Sequence, residues 1–97
     1  MDKIQLKLNE KGHGAFYISD NGKEVAEMVI GIADGKLTVY HTEVQPEAEG
    51  KGLATQLLAA MVDYARTHQL KVIPLCPYVA AQFNKRPDEY ADIRAKE

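Results

Sequence analysis

The sequence predicts an α/β domain of the mixed-sheet, α+β kind. It would hold an antiparallel meander of about four strands, then a helix, a parallel strand and short C-terminal helices. Three observations carry this. Apolar residues alternate with polar ones through the first part of the chain, up to Val44. Two tight-turn pairs, Asn21-Gly22 and Asp34-Gly35, cut that part into hairpins. From Leu53 the apolar spacing changes to three and four residues, as one face of a helix requires.

Taken in order, Ile4, Leu6 and Leu8 alternate with Gln5 and Lys7 and read as a half-buried strand. Asn9 to Gly12 is a turn, and Ala15 to Ile18 is a second short strand. Asn21-Gly22 supplies both positive-φ positions of a type I′ hairpin turn. Glu24 to Ile32 puts Ala26, Met28, Ile30 and Ile32 on one face and Val25, Glu27 and Val29 on the other. Leu37 to Val44 is the next strand, with Thr38, Val39 and Tyr40 supplying β propensity.

In the helix, Leu53, Leu57, Met61, Tyr64 and His68 form a stripe that Leu58, Val62 and Ala65 widen. Its stop signal is poor, because Gln69 stands where a glycine is expected. Lys71 to Leu75 is a short strand. The order strand–helix–strand implies a right-handed crossover and a parallel pair. Pro74 and Pro77 bracket Cys76 and remove backbone donors on either side, so this strand splays from its neighbour or ends early. Tyr78 to Lys85 is a short helix, Pro87 opens a further turn, and the tail beyond Ile93 frays.

The 97 residues make one domain, 1–97, with 45% hydrophobic and 27% charged residues. A net charge of −2 favours neither nucleic acid nor an anionic membrane surface. One cysteine excludes an internal disulfide and suits a reducing compartment. No apolar run is long enough to span a bilayer, and no signal-peptide pattern opens at Met1-Asp2-Lys3, so the cytoplasm is the expected setting. A monomer or weak homodimer is expected. No metal is expected: with one Cys and three scattered His, no metal-ligand spacing occurs, and His13 and His68 read as structural.

The chain is organised around Val44 to Thr55. A strand ends there, Gly50 and Gly52 follow one residue apart, and the long helix opens out of them. Outward-pointing amides and the positive end of the helix dipole make a seat for phosphate or pyrophosphate. The pattern is not a Walker loop, since Lys51 lies between the glycines. Nor is it the dinucleotide fingerprint, since Thr55 replaces the third Gly or Ala.

Gly50, Gly52 and Ala54 at the mouth of a helix resemble motif A of the GNAT acetyltransferase superfamily, Gln/Arg-x-x-Gly-x-Gly/Ala, which holds the pyrophosphate of coenzyme A. The reading puts Glu49 at the first motif position, a departure from the pattern. His41-Thr42-Glu43-Val44 and Pro74-Leu75-Cys76-Pro77-Tyr78-Val79 extend the resemblance to nearly the whole chain. Together they resemble the short, single-domain GNAT-like family.

The resemblance implies a minimal GNAT-like fold and acetyl transfer from acetyl-CoA to a small or protein amine. The competing reading is a non-enzymatic module that binds coenzyme A or a partner protein. For the cofactor, the reading names Glu49, Gly50, Lys51, Gly52, Leu53, Ala54 and Thr55 around the pyrophosphate and the Val44 backbone beside pantetheine. On the following helix, Tyr78, Asn84 and Lys85 are expected to reach the pantetheine or 3′-phosphate end, and Pro77 completes the set. For chemistry it names Cys76, at the acetyl end, with His41 and Glu43. Cys76 is either a nucleophile or an inert core cysteine. His41 and Glu43, two apart in a strand, share one face with Leu37 and Val39 behind them. Either deprotonates the amine, or His41 activates Cys76. The N-terminal helices that usually wall the acceptor site in this superfamily have no counterpart in the sequence, which leaves an open cleft.

Overall fold

The computed structural model describes residues 4–96. Met1 to Lys3, where no signal-peptide pattern is read, and Glu97 lie outside the described residues. A five-stranded sheet runs in the order β1 (Gln5–Leu8), β2 (His13–Asp20), β3 (Lys23–Ala33), β4 (Lys36–Val44) and β5 (Lys71–Pro74). The first four strands are the antiparallel meander, and β4 pairs with β5 in parallel. Both hairpin turns have the expected chemistry: Asn21 and Gly22 sit at φ 53° and 82°, Asp34 and Gly35 at 54° and 75°. β2 outruns the predicted Ala15 to Ile18 at both ends, because His13 and Gly14 pair with Gly31 and Ile30, and Ser19 and Asp20 with Glu24 and Lys23.

Three helices follow: α1 (Leu53–Thr67), α2 (Pro77–Lys85) and α3 (Pro87–Tyr90). α1 buries Leu53, Leu57, Leu58, Met61, Val62 and Ala65 against Phe16, Ile18, Met28, Ile30, Leu37 and Val39 of the sheet. α2 adds Val79 and Phe83 to the same core, and Phe83 stacks on Tyr90 with ring centroids 4.6 Å apart. Burial is the first cause that raises the Tyr90 phenol above its ordinary pKa. α1 and the α2–α3 pair lie side by side with their N-terminal ends together. Thr55 meets Tyr78 at that end, and Arg66 binds Asp92 (2.9 Å) and the Glu89 carbonyl (2.7 Å) at the other. Among the described residues no helix packs on the opposite face of the sheet.

Three expectations need correction. The helix stop is sound after all. Gln69 takes the left-handed conformation, φ 56°, and Leu70 N–H reaches back to Ala65 C=O at 2.8 Å, the Schellman closure in which glycine usually stands. The tail beyond Ile93 does not fray at once. Val72 N–H donates to Ile93 C=O (2.6 Å) and Ala95 N–H to Val72 C=O (2.9 Å), so the tail pairs along the outer edge of β5.

β4 also departs from strict alternation. Its register against β3 slips from Val29↔His41 to Ile30↔Val39, which leaves Tyr40 unpaired as a bulge. A bulge reverses the facing of everything beyond it. Leu37 and Val39 point into the core at 0% exposure, whereas His41 and Glu43 point to the opposite, open face. Leu37 and Val39 are therefore not behind them. Thr42 takes the helix side instead.

Candidate active site

The glycine loop has the geometry the sequence suggested. β4 ends at Val44, a 3₁₀ turn spans Pro46–Ala48, and Gly52 caps α1 in the left-handed region at φ 74°. Gly50 is also left-handed, at φ 84°. A Cβ added at either glycine would have no neighbouring atom within 4 Å, so both face open space. Gln56 N–H bonds Gly52 C=O at 3.1 Å, which starts the intrahelical ladder. The preceding amides, of Leu53, Ala54 and Thr55, therefore have no acceptor inside the helix. Among the described residues no side chain caps them, and no acidic residue stands in the first turn. Leu53 buries its side chain at 2% exposure, so it offers only its backbone. Lys51 and Glu49 are exposed on the loop.

Counted back from Gly50, the motif's first position falls on Glu47, not Glu49. Glu47 is held by Lys23 Nζ at 2.7 Å, and that hydrogen bond is the main cause that lowers its carboxyl below the ordinary value of 4.5. The pair ties the loop's entry to the β2–β3 hairpin.

Beside the loop, β4 outruns its parallel neighbour. The β4–β5 ladder covers Lys36↔Lys71 to Val39↔Pro74 and stops. Leu75 N–H turns back to Ile73 C=O (3.1 Å), and Cys76 N–H closes on Val39 C=O (2.8 Å). Proline at 74 and at 77 accounts for the early end, since neither has an N–H to continue the ladder. From Tyr40 to Val44 the β5 side of β4 has no strand partner among the described residues. Gln45 N–H points to Val25 on β3 (2.8 Å), and alternation then turns the backbone of Thr42 and Val44 toward the unpaired side.

Cys76 is the residue before α2 and is 3% exposed. Its Sγ lies 3.3 Å from Thr42 Oγ1, on the helix side of the sheet. His41 Nε2 lies 3.4 Å from Glu43 Oε1, with both side chains more than half exposed on the open face. The structure thus brings His41 and Glu43 together, and Cys76 and Thr42 together, but keeps the two pairs on opposite sides of β4. Tyr78 is half-buried in the first turn of α2, its hydroxyl 3.4 Å from Thr55 Oγ1. Pro77 opens that turn. Asn84 and Lys85 lie at the other end of α2, about 9 Å further along the axis than Tyr78, and Asn84 Oδ1 accepts from Arg94 Nη1 at 2.8 Å. They are not brought to the glycine loop.

From the sequence Thr42 has no role of its own and Tyr40 reads as core or interface, whereas Tyr40 is 48% exposed. The signal for the bulge was Gly31, a glycine inside a strand pattern, which marks a bulge or a close approach. Among the described residues no group of three His, Cys, Asp or Glu is placed to hold a metal ion, and no helix is long and apolar enough to cross a membrane.

The model of the GCN5-related N-acetyl-transferase family matches residues 15–93. The chain belongs to that family. A GCN5-like protein of Staphylococcus aureus, solved by NMR, is 30% identical to this GCN5-related chain, with a TM-score of 0.67 over 100% of this chain and 93% of its own. A ribosomal-protein-alanine N-acetyltransferase of Brucella melitensis is 21% identical, with a TM-score of 0.62 over 91% of this chain and 65% of its own, a likeness of fold. The mixed sheet with its parallel β4–β5 pair is thus the GNAT-like fold the sequence predicts.

Proposed function

We propose that this GCN5-related domain binds acetyl-CoA and transfers its acetyl group to a primary amine. One observation carries the reading: the uncapped, glycine-lined N-terminus of α1 lies at the end of β4, in the stretch where β4 has outrun β5. The open space at Gly50 and Gly52 and the lack of an acidic first-turn residue fit a pyrophosphate. The amides from Gly50 to Thr55 hold it, with Lys51 at the rim and Glu49 turned to solvent. The free backbone edge at Val44 pairs with pantetheine, and Tyr78 and Pro77 border the same mouth.

Acetyl-CoA supplies an activated thioester carbonyl. The amine nitrogen attacks that carbon, the C–S bond breaks, and coenzyme A leaves as the thiolate. The amine's proton passes to His41, whose partner Glu43 stabilises the resulting imidazolium. Cys76 and His41 lie on opposite sides of β4, which speaks against activation of the thiol by His41 and favours direct transfer over an acetyl-cysteine intermediate. Cys76 and Thr42 then line the gap on its packed side.

The test is calorimetric titration with acetyl-CoA, after mass analysis has excluded copurified coenzyme A. Binding with Kd of about 1 μM, roughly −8 kcal/mol, and loss of binding in Gly52→Asp support the reading. No heat and no thermal shift at millimolar ligand would sink it. A second reading, a coenzyme A-binding module without turnover, draws on the open face that no helix covers among the described residues. Binding with no release of free coenzyme A in the presence of any amine would favour it.

A further inference from the structure

Tyr40 has no role in the proposed chemistry, yet its placement is unusual. As the bulge residue it escapes the β3–β4 ladder, and it is 48% exposed. Its ring lies over Gly31 on the open face. A Cβ at Gly31 would come within 3.2 Å of Tyr40 Cε2 and 3.0 Å of His13 Cδ2. The glycine therefore lets an aromatic ring lie down on the sheet where any side chain would lift it. Gly31 is buried under these two rings, although among the described residues no helix covers that face.

Two strand steps along β3, Glu27 stands directly opposite Glu43. Like charges in directly opposed positions repel. Neither meets a Lys or Arg within 4 Å among the described residues; Glu43 has only His41, and the nearby Glu24 is paired with Lys7 at 3.6 Å. Glu24, Glu27, Glu43 and Gln45 border a hollow of about 110 Å³. Between the hollow and the aromatic ring, His41 pairs with Val29, one two-residue step from Gly31, about 6.6 Å.

We infer that Tyr40 selects the acetyl acceptor: a primary amine whose flat apolar group rests on Tyr40 while its cation faces Glu43 and Glu27. This rests on the acetyltransferase reading and names the acceptor class for it. A two-carbon spacer between ring and nitrogen fits the single strand step and puts the nitrogen beside His41, which takes its proton. The acceptor thus arrives on the open face, across β4 from the packed pair Thr42 and Cys76, because the helix side is filled by the core.

The test is titration of the full chain with 2-phenylethylamine, followed by the backbone amide signals of Tyr40 and His41 in ¹H–¹⁵N spectra, with acetyl-CoA titrated separately. The amine should move these signals saturably. The neutral isostere 2-phenylethanol should bind about fivefold more weakly for want of the cation. Tyr40→Ser should weaken the amine about tenfold and leave acetyl-CoA affinity unchanged, and Gly31→Ala, which lifts the ring, should act in the same direction. Glu27→Gln should weaken it about threefold. Unmoved Tyr40 and His41 signals, equal affinity for amine and alcohol, or undiminished affinity in Tyr40→Ser would each overturn the inference. Loss of amine binding with acetyl-CoA still bound strikes this proposal alone. Amine binding at Tyr40 without acetyl-CoA binding strikes the acetyltransferase reading instead.

Discussion

The two halves of β4 belong to one strand and have opposite duties. From Lys36 to Val39 the strand is bonded on both sides, to β3 and to β5, and Leu37 and Val39 are sealed at 0% exposure. From His41 to Val44 it is bonded, among the described residues, to β3 alone, with His41 and Glu43 in solvent. The bulge at Tyr40 is the boundary. The first half spends its hydrogen bonds on the fold, and the second keeps one edge free for a ligand. A site of this kind is built by ending a neighbour early rather than by adding an element.

The comparison breaks most visibly in stability. Leu37→Ala in the sealed half should cost about 2–5 kcal/mol in chemical denaturation, since it opens a cavity in a filled core. His41→Ala in the free half should stay within about 0.5 kcal/mol of wild type. If both substitutions cost the same, the two halves do not differ as described. Activity should reverse the order. His41→Ala should lower kcat/KM for acetyl transfer about 100-fold, the low end for loss of a general base, with acetyl-CoA affinity unchanged. A mutant at full activity would remove His41 from the mechanism.

Cys76 sharpens the division across the strand. For direct transfer, Cys76→Ala should keep activity within about threefold, while a nucleophilic thiol would make the loss at least 100-fold. Steady-state kinetics of this one variant separate the two routes.

The smallest effect lies at the far end of the helices, where the Arg66 hydrogen bond is the first cause that lowers the Asp92 carboxyl below its ordinary value of 3.8. The folded-state pKa is depressed, so the pair contributes above the unfolded value and the contribution is lost as pH falls through the folded one. Asp92→Asn should therefore flatten the acid limb of stability slightly below pH 3.8 and leave acetyl-CoA binding untouched. The pair is exposed, which keeps the effect small.

Much of this was legible in the sequence, for local reasons. Asn21-Gly22 and Asp34-Gly35 fix their turns by φ alone, and the stripe from Leu53 to Ala65 fixes the buried face of α1. Pro74 and Pro77 announced the early end of β5. What was hidden depends on partners. Strict alternation puts Leu37 and Val39 behind His41 and Glu43, and only pairing with β3 reveals the slip at Tyr40. Gln69 closes α1 without glycine because Leu70 has a carbonyl to reach. The tail holds because Val72 offers it an edge. Asn84 and Lys85 share a helix with Tyr78, but only the side-by-side packing of α1 and α2 shows which end of that helix meets the glycine loop.

The most direct test of the central claim is the ¹H–¹⁵N spectrum of the chain with and without acetyl-CoA. The largest shifts should fall on the amides of Gly50 to Thr55 and of Thr42 and Val44, with Lys36 to Val39 nearly unmoved. Shifts confined to other surfaces, or equal along both halves of β4, would contradict the division of labour and the site built on it.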